Sequence, residues 1–420
     1  MNSDLHSPSS ASTLASDQNQ AYPMKDSIPA DLPPLPTAAT QAPSRTVPTP
    51  SPPTLSDVHV LIPTAMVSGA AGNQFIIDND EWAGELREFT DAFTRLGATS
   101  VEWHRVTLHN FSEVIQKIHQ NRKAGTLAVN LCDGYETTDG RPGNSVIKLL
   151  ESRNIPFTGA SSRFNSTSCS KTIMKRLFHD HKVPTAAYSS IPPDHADVGP
   201  HLWSHIPIRP LIVKPDGGYN SIGTTVCRTD AETEAAIRNI QSKYGRVIVE
   251  PFIKGREYTA LVVDNPTPGG EPVVFPVMER SFPTQFTDEE KFMSRDVWNN
   301  LRFEGKVADA EVGPVLEDVA RNAYKAVGGN GYGRVDIRVS PPLLPQVLEV
   351  NSLCGLSEDR TSTVGFMLAA AELKIIDVWR LVARQACDRA KQREGGARDG
   401  EDEMESPKGV WAGEGVQLSQ

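Results

Sequence analysis

Long apolar runs are missing from this chain. No stretch approaches the roughly 18 residues that a membrane span needs, so no membrane partner is expected. An excess of positive charge is missing too. Lys and Arg number 42 against 52 Asp and Glu, a formal net charge of −10. That balance argues against a broad footprint for nucleic acid and leaves only a local basic patch open. Cysteine is scarce and scattered, at Cys132, Cys169, Cys227, Cys354 and Cys387. No pair has zinc-site or thioredoxin spacing, which points to reduced intracellular thiols. The N-terminus has no basic segment followed by an apolar stretch, and it has few Arg and several Asp. Neither a secretory signal nor a transit peptide is expected, and the location read from this is cytoplasmic. No Gly-x-Gly-x-x-Gly follows the first strand and no Gly-Lys-Ser/Thr loop occurs, so the dinucleotide and P-loop fingerprints are absent. There is no internal repeat.

What is present is ample chain: 420 residues allow two or three packed units. Residues 1–56 are Ser, Pro, Thr and Ala with few large apolar side chains, and read as a disordered arm. The tail 391–420, rich in Gly, Glu, Asp and Arg, reads as similarly loose. The part between alternates strand and helix signals at first. "VHVLIP", "TSVEWHRV" and "TLAVNLC" read as strands. "EWAGELREFTDAFTRLG" puts Leu86, Phe89, Phe93 and Leu96 on one helical stripe ending at Gly97. This repetition predicts a parallel sheet covered by helices. Further on, "SKTIMKRLFHDHKVP" reads as a helix with Lys171 and Lys175 on one face. "TDAETEAAIRNIQSKYG" opens with a capping box from Thr229 to Glu232. "REYTALVVD" and "EPVVFPVME" read as an antiparallel pair, and "GYGRVDIRV" and "QVLEVNS" as a hairpin.

The hairpin carries the most chemistry. Strand side chains alternate faces, so Arg334, Asp336 and Arg338 share one side of the first strand. Val347, Glu349 and Asn351 share one side of the second, with Leu348 and Val350 expected to face the core. Asp336, Glu349 and Asn351 then converge as two carboxylates and an amide oxygen, a hard donor set of the kind magnesium takes. Arg334 beside them is placed to balance charge on a transferring group. The same pattern equally fits the polar, solvent-facing side of an edge hairpin.

Two upstream stretches suit a nucleotide. In "VKPDGGYNSIG", Lys214 ends a strand before a loop with three glycines, whose backbone N–H groups can approach phosphate. In "VIVEPFIKGRE", Glu250 and the Phe252–Ile253 pair suit a purine slot, and Glu257 suits ribose hydroxyls. Each has an ordinary alternative: a turn, a strand end, a surface glutamate, a solvated helix lysine at Lys171.

The order of these pieces resembles the ATP-grasp superfamily, and within it the D-alanine–D-alanine ligase-like group, over roughly residues 125–385. The resemblance implies an α/β (α+β) ATP-grasp fold of three subdomains. A parallel-sheet pre-ATP-grasp domain (57–160) would precede a central lobe (161–246) and a catalytic lobe (247–390) that clasp ATP. It implies a ligase that joins a carboxylate to an amine through an acyl phosphate, on amino-acid or peptide substrates. ATP and Mg2+, or Mn2+ in its place, are the implied cofactors, and a homodimer is left open. Lys171 and Lys214 match the nucleotide lysines, Glu250, Phe252 and Ile253 the adenine hinge, and Glu257 the ribose ligand. Asp336, Glu349 and Asn351 match the metal ligands, and Arg334, Lys291 and Ser221 the catalytic set.

The chain departs from the group's pattern on the substrate side. "TAMVSGAAGNQFII" lacks the glutamate motif after the first strand. Phe292 stands for a loop tyrosine, Asn220 for a loop serine, and Cys354-Gly355 for the usual Pro-Gly. Gly355 and Arg360, in the stretch that would hold the second substrate, are candidate substrate contacts, although Arg360 would also pair with Glu358 or Asp359. The expected substrates are therefore not two D-alanines. A non-catalytic ATP-binding scaffold is the alternative from another class, and phosphorylation or thioester formation a third option.

Overall fold

The computed structural model describes residues 48, 50–68, 74–76, 83–136, 139–218, 221–292, 297, 304–359, 362–396 and 417–418. In chain order the strands are β1 (Asp57–Pro63), β2 (Met66–Ser68), β3 (Gln74–Ile76), β4 (Ser100–Val106), β5 (Leu127–Asn130), β6 (Ser189–Ile191), β7 (Leu211–Pro215), β8 (Thr225–Cys227), β9 (Val247–Pro251), β10 (Arg256–Val263), β11 (Val273–Val274), β12 (Met278–Ser281), β13 (Glu304–Val307), β14 (Tyr332–Ser340), β15 (Leu344–Asn351) and β16 (Gln417–Leu418). The helices are α1 (Ala83–Arg95), α2 (Phe111–Asn121), α3 (Asn144–Ser152), α4 (Ser162–Ser168), α5 (Lys171–Asp180), α6 (Asp230–Tyr244), α7 (Gly313–Ala326), α8 (Thr363–Ala370) and α9 (Ile375–Gly396).

The first three expected strands form a parallel sheet in the order β4-β1-β5. Its faces are apolar for the reason the sequence gives. Val58 and Val60 of β1 turn to Phe89 and Phe93 of α1 and to α9, and Leu61 turns to Ile115 and Ile118 of α2. Two antiparallel sheets follow. One runs β16-β6-β9-β7-β8; the other runs β13-β12-β10-β14-β15, with β11 beside β10. In the second sheet, Tyr258, Ala260, Val262, Val335, Ile337 and Val339 pack against Leu316, Ala320 and Ala323 of α7. The opposite face carries charge.

The expected disordered ends differ from the structure where apolar or bonded residues reach into them. Leu55 is buried against the first sheet, and the Ser56 carbonyl accepts from Thr99 and Ser100. Helix α9 continues past Lys391 to Gly396, where Arg393 donates to Asn154 Oδ1 (3.1 Å) and Asn154 donates to Glu394 (2.9 Å). In the tail, β16 pairs with β6. The rest of both ends lies outside the described residues. Among the described residues, no helix is long and apolar enough to cross a membrane.

Candidate active site

A cavity of about 550 Å³ opens between the two antiparallel sheets and the start of α5. Two local devices aim its cations. Ser170 caps α5 by accepting from the Ile173 N–H. Asp216, just past β7, accepts from Ser170 Oγ at 2.8 Å and from the Thr172 N–H at 2.7 Å. The end of β7 and the first turn of α5 are thereby tied together, so Lys214 and Lys171 line the same space. Lys171 Nζ lies 3.4 Å from Glu349 and 3.4 Å from the Gly218 carbonyl oxygen.

Lys214 Nζ pairs with Glu250 at 3.1 Å, and from the other side Lys175 Nζ pairs with the same carboxylate at 3.2 Å. Lys175 is fully buried and donates to Thr185 Oγ1 at 2.8 Å. Burial alone would push the Glu250 carboxyl up; the two ammonium groups outweigh it and bring it down to about 2. Lys175 was legible only as a face-mate of Lys171. A lysine at helical spacing reads as solvated, and its partner lies 75 residues away in a different element.

The charged face of the second sheet makes the opposite wall. Register places Glu257 opposite Arg338 and Arg280, and Thr259 opposite Asp336. Arg280 reaches Glu257 at 2.9 Å and Asp336 at 3.4 Å, while Arg338 lies 3.6 Å from Glu257. Buried charges persist only when compensated in this way. Arg338 also donates to the Ile253 carbonyl (2.8 Å) and covers the Phe252 ring at 5.1 Å, which fixes the apolar hinge after β9. At Gly255, with φ +144°, a Cβ would collide with the Val339 carbonyl, so this turn requires glycine.

On the hairpin, Asp336 pairs directly with Glu349 and Arg334 with Asn351. Asp336 accepts from Thr259 Oγ1 (2.6 Å), from Arg334 through two nitrogens (3.1 and 3.0 Å) and from Asn351 Nδ2 (3.2 Å). Burial raises its carboxyl, but Arg334 and Arg280 prevail and hold it at about 2. Cys354, next to this wall, is buried and its thiol is pushed up to about 12, so it is a neutral packing group.

One expectation for the hairpin is corrected. A bulge at Asp336/Ile337 sets Ile337 opposite Val347 and Asp336 opposite Glu349, which leaves Leu348 as the extra residue. Val347 therefore packs in the core with Val350, and Leu348 lines the cavity. The face-sharing of Val347 with Glu349, and of Leu348 with Val350, does not hold.

Of the residues singled out from sequence, the cavity brings together Lys171, Lys214, Ser221, Glu250, Phe252, Ile253, Glu257, Arg334, Asp336, Glu349, Asn351 and Gly355. Lys291 is not among its walls: its ammonium pairs with Asp288 at 3.2 Å, and its neighbour Phe292 lines the cavity instead. Arg360 and Asn220 lie outside the described residues. Sequence reasoning placed Lys175 and Arg338 on faces shared with site residues but gave them no role, and it missed Arg280. It also missed Glu88 of α1, which accepts from Ser357 Oγ (2.8 Å) and the Glu358 N–H (2.5 Å) and so tethers the loop after β15.

Known proteins share the family and the fold of this chain. The family described as "D-ala D-ala ligase C-terminus" matches residues 180–378. The D-alanine–D-alanine ligase of Anaeromyxobacter sp. (strain K) is 30% identical over 236 residues, 56% of this chain and 72% of that protein. The Gloeobacter violaceus D-alanine–D-alanine ligase is 29% identical over 243 residues, 56% of this chain and 74% of that one. Among solved structures, the Bacillus anthracis D-alanine–D-alanine ligase complexed with ATP superposes with a TM-score of 0.59 at 19% identity, covering 80% of this chain and 99% of that one. The Coxiella burnetii ligase gives 0.60 at 18%, covering 82% and 98%. The structural likenesses show the fold, and the sequence relatives show the lineage. This chain belongs to the D-alanine–D-alanine ligase-like group of the ATP-grasp superfamily, enzymes that use ATP to form carbon–nitrogen bonds.

Proposed function

We propose that this chain joins the carboxylate of one amino-acid-like substrate to the amine of another, and that the pair is not two D-alanines. A carboxylate oxygen bonds to the γ-phosphorus of ATP and ADP leaves. The amine nitrogen then attacks the acyl carbon, phosphate leaves with the carbon–oxygen bond electrons, and the amine proton passes to solvent. The observation that carries the reading is the meeting of Lys171 and Lys214 with Arg334, Asp336, Glu349 and Asn351 around one cavity. The lysines suit phosphate oxygens as point charges. Arg334, held by Asp336 through two nitrogens, suits charge that builds on the transferring phosphoryl group. Phe252, Ile253 and Leu348 offer the apolar slot for a purine.

The donor set of Asp336, Glu349 and Asn351 fits Mg2+: two carboxylates, the first ionised through most of the pH scale, and an amide. When bound, the ion supplies charge neutralisation on phosphate oxygens. The substrate side supports a different pair because the tethered loop reads Leu353-Cys354-Gly355-Leu356-Ser357-Glu358-Asp359. Its Cys354, at the cavity wall, stands where the group's pattern has proline, and Ser357, Glu358 and Asp359 follow where that pattern has a Thr/Ser/Leu run.

The test is ADP release and product mass spectrometry across a panel of amino acids, with and without Mg2+. Mg2+-dependent ADP release with a pair other than two D-alanines is expected, falling about a hundredfold or more in Asp336→Asn and Glu349→Gln. D-alanyl-D-alanine as the fastest product overturns the substrate reading. No ADP with any pair, with ATP binding unchanged in both variants, overturns the ligation reading.

A further inference from the structure

A second cluster of ligand-type side chains lies away from the cavity, on the first sheet. Register pairs His59 of β1 with Glu102 of β4, and His104 follows Glu102 by two residues. All three therefore project from one face. His59 Nδ1 and His104 Nε2 are 3.0 Å apart, and Glu102 Oε2 lies 3.7 Å from the first and 4.0 Å from the second. The circumradius of a triangle with sides 3.0, 3.7 and 4.0 Å is about 2.1 Å, so one point in its plane sits at that distance from all three atoms. Zinc binds imidazole nitrogen and carboxylate oxygen at roughly 2.0–2.2 Å.

The surroundings suit such an ion. Leu61 and Val106 continue the same face and are buried under Ile115 and Ile118 of α2, so the imidazoles sit at the rim of an apolar core. Imidazole ligates through the lone pair of its neutral form, and the two facing ring nitrogens are the atoms that point into the triangle. Glu102 is exposed, with 59% of its side chain accessible, which leaves an entry path. Asp57, two residues before His59, is occupied by Ser56, Ser100 and Lys123 and is not part of the triangle. Imidazole donors exclude Mg2+ in favour of zinc and its neighbours, so this site and the hard-oxygen set at Asp336 select different ions.

We propose that His59, Glu102 and His104 form a zinc-class divalent cation site that clips the edge strand β4 to β1. The three protein ligands leave further coordination positions to water. The proposal does not depend on the substrates of the ligase cavity.

The test uses the full chain, free of any purification tag, with Zn2+ by titration calorimetry and Co2+ by its visible absorption, both in excess Mg2+. One Zn2+ per chain is expected, together with a Co2+ spectrum of low coordination number. Binding should weaken about tenfold or more in Glu102→Gln and further in His59→Ala and His104→Ala. Circular dichroism checks the fold of each variant, and the exposed Glu102→Gln keeps the test open if a histidine variant unfolds. No saturable Zn2+ binding, or binding undiminished in Glu102→Gln and in a folded histidine variant, overturns the proposal.

Discussion

Replacing Glu250 by Gln keeps the side-chain shape and removes the charge between Lys175 and Lys214. Lys214 retains some exposure, at 13% of its side chain, whereas Lys175 has none. Burial and the Lys214 charge lower the Lys175 pKa from 10.5 and Glu250 opposes that shift, so in the variant only the weaker pull of Glu349 is left against them. Stranding a buried charge costs roughly 3–5 kcal/mol. The lysine can escape by losing its proton, which at pH 7 costs 3.5 units at about 1.36 kcal/mol each. The destabilisation is therefore bounded near 5 kcal/mol at pH 7. It also depends on pH with a definite sign. A lysine whose folded pKa lies below its unfolded value releases its proton on folding, so the variant gains stability as pH rises toward 10.5. The gap to the parent protein should shrink as pH rises toward 10.5, by at most about 1.4 kcal/mol per unit. Urea unfolding of both proteins at several pH values measures it, and Lys175→Met in the Glu250→Gln background should recover most of the loss. A gap that is small at pH 7, or constant with pH, refutes the account of Lys175 as a buried cation held by Glu250.

Two further outcomes follow from the same electrostatics and from the loop tether. Glu250 and Asp336, both held at about 2 against ordinary values of 4.5 and 3.8, add stability that is present above those ordinary values. It is lost as pH falls toward 2, at most roughly 3 and 2 kcal/mol; acid titration followed by tryptophan fluorescence should show parent stability declining below pH 4.5, and a flat response down to pH 2 contradicts it. Glu88→Ala releases Ser357 and the Glu358 N–H beside the cavity wall at Gly355. Glu88 is a positioning residue, so kcat/KM should fall about 10- to 100-fold with ATP affinity unchanged, and steady-state kinetics with unaltered kcat/KM would remove it from the mechanism.

Legibility in the sequence followed the range of the interaction. The parallel β1, β4 and β5, the capping box of α6 and the β14–β15 hairpin are encoded in local periodicity and caps, and each stands where expected. Lys214, Glu250, Asp336 and Glu349 were legible because each sits on a strand whose other face is apolar. Their partners were not. The Lys175–Glu250 pair, the Arg280–Glu257–Arg338 lattice and the Glu88 tether join distant segments, and no spacing announces them. Strand β8, three residues long, is too short for alternation to show, and it forms because β7 offers it a partner.

The bulge at Asp336/Ile337 marks the limit most sharply. Alternation along "QVLEVNS" has only two solutions, and a regular ladder selects the one that puts Leu348 in the core and Val347 outside it. One inserted residue lets both Val347 and Val350 pack inward while Glu349 and Asn351 keep their places beside Asp336 and Arg334. The strand thus satisfies its core without giving up its charged face, and the residue left over, Leu348, becomes apolar wall for the cavity. An apolar residue that alternation assigns to the core is here turned to the cavity by a defect in pairing. Bulges sit next to active sites for this physical reason: they uncouple side-chain direction from strand parity at the one place where core and ligand make opposite demands.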